Sequence, residues 1–116
     1  MKLLILTSVL EASTGMLVLA LPALLIRLLF NCEINTSGVL VGRFAGVCLI
    51  ALAVACWPEG NMHQAVSGML TYNLLVTIYF LVVGISGGAG ILLWPVALTH
   101  AGLTVLLVRA WRKQKQ

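Results

Sequence analysis

Four apolar runs dominate this chain, at residues 3–30, 39–57, 65–85 and 89–108. A helix needs roughly 20 mostly apolar residues to cross a hydrocarbon core, and each run is about that long. A water-soluble fold of this size could not hide so much apolar surface, because a small domain buries only about two-thirds of what its chain exposes. The chain has 116 residues, of which 61% are hydrophobic and 9% charged. Soluble domains run at about 45–50% apolar and about 25% charged. The expected fold is therefore an all-α integral membrane domain spanning residues 1–116. Its four transmembrane helices form an up-down-up-down bundle, the default when connections are short.

The first run could be mistaken for a signal peptide, since Lys2 is followed by "LLIL". A signal core is about 7–15 uninterrupted apolar residues. Here Glu11 interrupts it and apolar sequence continues to Phe30, so a retained span is expected. Pro22 cannot donate to the carbonyl of Val18, which predicts a kink or loosening.

Basic residues set the expected orientation. Lys2 and the tail residues Arg109, Arg112, Lys113 and Lys115 fall on one side of a four-span bundle, and Arg27 and Arg43 on the other. The positive-inside rule then places both termini in the cytoplasm, N-in and C-in. A bacterial inner membrane is the expected location, with the bilayer itself as one partner. The tail reads as a topology signal and a contact for anionic lipid rather than a nucleic-acid site. Trp57 and Trp111 fall at the inner interface and Trp94 near the outer one, the depth such side chains prefer.

The connections carry no catalytic signature. "NCEINTSG" and "GISGGAG" are outer loops, and "WPEGNMHQ" is the inner one. The glycine-rich stretch lacks the phosphate-loop pattern and reads as a tight hairpin. Cys32, Cys48 and Cys56 form no zinc or disulfide framework. The chain has no Asp and three Glu. Glu33 and Glu59 sit in loops on opposite sides, so one chain offers no intramembrane carboxylate pair. No metal site is specified, and no cofactor either.

The runs do carry polar groups. Glu11 lies about 13 Å of helix above Lys2, and Thr7, Ser8, Thr14 and Gly15 share its face. This stripe must point into the bundle, since a carboxylate facing lipid costs several kcal/mol. Asn73 lies near the centre of the third run, with Thr77 one turn on. His100 lies near the centre of the fourth, between Thr99 and Thr104. Glu11, Asn73 and His100 are at similar depth and form a candidate cluster. Arg43 is about 10 Å nearer the outside. Burial disfavours charge, so neutral Glu11 and His100 could serve as structural glue. Intramembrane ionisable residues also mark proton relays and ligand sites. His100 is the one residue suited to ligate a haem or pigment; His63 reads as a solvated loop residue. Gly38, Gly42 and Gly46 recur every four residues and define a face on which another backbone can approach closely.

The segments "LPALLIRLLF" and "GVLVGRFAGVCLIALAV" resemble the DoxX-like small four-span bacterial membrane proteins. That likeness implies an accessory role in a membrane complex and no site residues. Length, span number and the position of Glu11 are similar to the small multidrug resistance transporters, which use a glutamate in span one. The third run, however, lacks their glycine-rich face. Three functions follow in order. The first is an accessory or scaffolding subunit working with other membrane subunits or copies of itself. The second is a homo-oligomeric proton-coupled transporter or channel using Glu11. The third is a haem- or pigment-ligating subunit through His100.

Overall fold

The computed structural model describes all of residues 1–116 and is entirely helical. Its five helices are α1 (Lys2–Ala20), α2 (Pro22–Phe30), α3 (Thr36–Ala55), α4 (Met62–Ile85) and α5 (Leu93–Gln114). Four of them, α1, α3, α4 and α5, are long and apolar enough to cross a membrane.

The first apolar run is broken in two rather than kinked. Pro22 has no amide hydrogen for Val18, and Leu21 leaves helical geometry at φ −130° and ψ 54°. The chain restarts at once because proline suits the first position of a helix. Backbone bonds from Leu21 to Leu17 (2.8 Å) and from Leu25 to Leu21 (3.1 Å) bridge the break. The last run also differs from its expected limits of 89 and 108. Residues 89–92 lie outside the helix, and α5 continues through the basic tail to Gln114. Arg, Lys and Gln are good helix formers, so loss of hydrophobicity does not end the helix. Asparagine caps start the two middle helices. The Asn35 side chain accepts from Gly38 (2.9 Å), and Asn61 accepts from His63 (3.1 Å) and Gln64 (3.2 Å).

Successive long helices alternate in direction, but they do not pack simply in chain order. α3 lies on α1 along its length, and α4 lies on α5; α3 and α4 meet only near their connecting turn. The α1–α3 contact is backbone to backbone. A Cβ added to Gly15 would lie 2.8 Å from the Gly46 carbonyl oxygen, and one added to Gly46 would lie 2.7 Å from that of Gly15. Gly42 abuts the Pro22 ring at 2.9 Å, a side-chain contact, whereas Gly38 faces Ile34 of its own approach segment. Two of the three spaced glycines therefore meet another helix.

The two helical pairs join at their ends. At one end Leu4, Cys56, Ala65, Val66, Met69 and Leu107 form an apolar cluster. At the other, the α4–α5 turn closes on the end of α2. The Gly90 amide donates to Leu29 (2.8 Å) and the Leu92 amide to Leu28 (2.9 Å). Gly90 sits so tightly on the Leu28 carbonyl that any side chain would overlap it.

Helix α1 is inside out by the standards of water. Its buried residues are Leu4, Thr7, Ser8, Glu11 and Gly15, while Ile5, Leu6, Val9, Met16 and Leu17 face outward. Polar-in, apolar-out is the pattern that hydrocarbon solvent favours, because a polar group in lipid finds no hydrogen-bond partner.

Candidate functional site

Between the joined ends the two helical pairs part around a cleft of about 350 Å³. All five helices line it. α1 supplies Leu10, Glu11, Thr14, Leu17 and Val18, and α2 supplies Leu25 and Leu29. Leu49 comes from α3, Tyr72 and Phe80 from α4, Leu92 from the turn before α5, and Val96, Thr99, His100 and Leu103 from α5. Its size lies at the lower end of small-molecule sites, about 300–1,000 Å³, and like them it is mostly apolar with a few convergent polar groups.

Helical periodicity accounts for the convergence. Glu11 lies seven residues beyond Leu4, and His100 seven before Leu107. Leu4 and Leu107 meet in the end cluster. Two turns along each helix, about 10 Å, the carboxyl and the imidazole therefore reach the same level. Glu11 and Asn73 are almost fully buried, and His100 is buried at 9% exposure.

The partners differ from the expected ones. His100 pairs with Asn73, the imidazole Nδ1 standing 2.8 Å from the amide Oδ1. The Asn73 Nδ2 group donates to the Met69 carbonyl at 2.9 Å, so Oδ1 is the acceptor side. Nδ1 of His100 must then carry the hydrogen. In the neutral ring that leaves Nε2 with a free lone pair. Nε2 makes no hydrogen bond within the chain, and no buried polar atom is left unpartnered, so it is not sealed from the cleft.

Glu11 pairs with neither residue. The Tyr72 hydroxyl lies beside its carboxyl, and the Tyr72 ring meets the His100 ring edge-on with centroids 5.8 Å apart. Tyr72 thus stands between the carboxyl and the imidazole. Tyr72 is not among the expected site residues; its place next to Asn73 in a central span is the sequence signal that marks it.

Other expected members drop out. Thr77, Thr99 and Thr104 donate to carbonyls one turn back on their own helices, at 2.7, 2.9 and 2.8 Å. Such bonds hold a hydroxyl locally and join no helices. Ser8 does cross, to the Cys56 carbonyl at 3.5 Å. Arg43 is exposed on α3, outside the cleft. His63 stacks on Trp111 with centroids 6.2 Å apart. The three cysteines are free, and no cluster of metal-binding side chains is present.

With the threonines of α4 and α5 and Asn73 engaged, four groups in the cleft keep capacity for a guest. They are the Glu11 carboxyl, the Thr14 and Tyr72 hydroxyls, and His100 Nε2. Such a set can bind a polar head and hold or release a proton; it contains no nucleophile paired with a base. No family model, curated protein or solved structure matches the chain.

Proposed function

We propose that the protein is a small proton-coupled transporter of a bacterial inner membrane. It crosses the membrane four times with both termini in the cytoplasm. A small molecule occupies the cleft, and Glu11 exchanges a proton as that molecule binds and leaves. One observation carries this reading: the only carboxyl within the long helices lies in a ligand-sized cleft, beside a phenol and near an imidazole with a free nitrogen. A residue serving only as glue would be expected in closed packing. The cleft is lined from one chain, so the proposal requires no second copy.

The test uses purified protein in vesicles under an imposed pH gradient, screened with lipophilic amines, phenols and alcohols. At least one compound should speed collapse of the gradient with the native protein and not with Glu11→Gln. A native protein that never couples any compound to the gradient overturns the reading. Orientation is tested separately: a cytoplasmic reporter fused after Gln116 should be active and a periplasmic one silent.

A second reading, the accessory subunit of a membrane complex that the DoxX-like likeness implies, draws on Arg43. A cation exposed on an apolar helix calls for a lipid phosphate or another subunit's carboxylate. Co-purification of other subunits in mild detergent, lost in Arg43→Gln, would favour it. Haem ligation through His100 has less support. The rings of Tyr72 and Phe80 stand edge-on to the imidazole at 5.8 and 6.0 Å, leaving little flat space for a macrocycle.

A further inference from the structure

We infer that the cleft is filled from the bilayer core, through a side opening between α1 and α5. Its occupant is a membrane-dissolved amphiphile whose single O–H or N–H head donates to His100 Nε2. This deepens the transporter reading and rests on it for the identity of the site.

Both ends of the cleft are closed. At the end near the chain termini, Leu4, Met69 and Leu107 are at most 1% exposed and Val66 3%. At the other end Gly90 and Leu92 are hydrogen-bonded to Leu29 and Leu28. The Phe30 ring there packs edge-on against Tyr79 and Phe80, with centroids at 6.2 and 5.9 Å.

A groove between α2, α3 and α4 adjoins the cleft at Val18, Leu25, Leu29 and Leu49, but the cleft residues there are half-buried, and the cleft's own lining is exposed on one side. Lining residues from α2, α3 and α4 are all buried or half-buried, whereas Leu10, Thr14 and Leu17 of α1 and Thr99 of α5 are exposed. The opening therefore lies between α1 and α5 at the level where lipid chains run. A solute reaching it must already be dissolved in hydrocarbon.

Polarity within the cleft sets the shape of that solute. Glu11, Thr14, Tyr72, Thr99 and His100 occupy one zone. Leu17, Val18, Leu25, Leu29, Leu92 and Val96 extend from it toward the α2 end. A polar head fits the first zone and an apolar body the second. The Glu11 carboxyl already has the Tyr72 hydroxyl beside it, and the Asn73 amide holds Nδ1 of His100. Of the four groups left free, His100 Nε2 is the one that can only accept, so a head that donates is the one it recognises.

The experiment uses the full chain in phosphatidylcholine nanodiscs and three photoreactive probes. These are a medium-chain alcohol with a mid-chain diazirine, its methyl ether, and the matching amine. Labelled residues are located by peptide mass spectrometry, with labelling at the outward-facing Phe44 as the lipid background. Alcohol and amine should label the stretch around Leu17, Val18 and Leu25 several-fold above the ether. Thr99→Trp, which narrows the opening, should cut cleft labelling several-fold and leave Phe44 unchanged. His100→Phe should bring the alcohol down to the level of the ether. If that variant does not fold, the alcohol–ether pair on the native protein decides the head by itself. Equal labelling by alcohol and ether overturns the donor head. Labelling by the amine alone overturns it too, because Glu11 would then be recognising a cation. Cleft labelling indifferent to Thr99→Trp overturns the side opening. Occupancy is read here without transport. A chain that labels as expected but never couples to a pH gradient loses the transporter reading and keeps this one.

Discussion

The α1–α3 contact and the space between the two helical pairs are built from opposite materials. At α1–α3, Gly15 and Gly46 put backbone against backbone, and the surfaces close with no room for a guest. Between the pairs, Glu11, Tyr72, His100 and Phe80 project into the gap, and helices tied at both ends stay apart between them. Small residues give an interface its stability through close van der Waals contact. Large side chains hold a space open, and the polar ones among them give it chemistry. One helix, α1, does both: Gly15 lies four residues, about one turn, beyond Glu11, so the rigid contact holds the functional group in place.

The largest effect should come from destroying the closed side. In Gly46→Leu, the first added carbon alone would lie 2.7 Å from the Gly15 oxygen and from the Leu19 nitrogen. Both are backbone atoms and cannot step aside. Overpacking of this kind costs typically about 1–3 kcal/mol and sometimes more, and we expect the upper end. Thermal unfolding in detergent should show a large drop or no folded monomer, while Gly102→Ala, with nothing within 4 Å, should be close to neutral. Gly42→Leu should fall between them, because its neighbour at Pro22 is a side-chain atom.

Next in size is the polar pair. Asn73→Leu removes the acceptor of His100 Nδ1–H and leaves that donor buried, at about 1–3 kcal/mol. It also frees the ring to change tautomer. A fall in stability with no change in the imidazole's NMR tautomer signature would contradict the Asn73–His100 bond.

Changing Glu11 should separate stability from function. Gln keeps the shape and hydrogen-bonding capacity of a neutral carboxyl but releases no proton. Glu11→Gln should unfold within about 1 kcal/mol of the native protein, less than a typical buried deletion, and lose all proton coupling. Glu11→Leu should be destabilised more, because the Tyr72 hydroxyl loses its neighbour. Equal activity of Glu11→Gln and the native protein would reduce the cleft to a packing defect.

The smallest effect belongs to Thr99→Val. That hydroxyl bonds its own helix at the Pro95 carbonyl, so its loss should shift unfolding by less than about 1 kcal/mol. A larger drop would mean that Thr99 reaches across the opening.

Sequence alone determined the elements of this protein and their apolar character. The lengths of the apolar runs and the scarcity of charge are local properties, and they are enough to specify four long helices. The inward aim of the Glu11 stripe was legible for the same reason, because a carboxyl has one tolerable side on an apolar helix. The break at Pro22 was legible as a weakness, but its extent was not: a lost hydrogen bond can be absorbed by a bend or by a new helix start. Only the tertiary structure decided that α3 lies on α1 and α4 on α5, that Asn73 takes His100, and that Tyr72 stands beside Glu11. Periodicity fixes the face and depth of a residue but not which helix stands opposite. That choice depends on which surfaces close best, and here the close fit of Gly15 and Gly46 settled it by bringing two backbones together and leaving the cleft on the other side of α1.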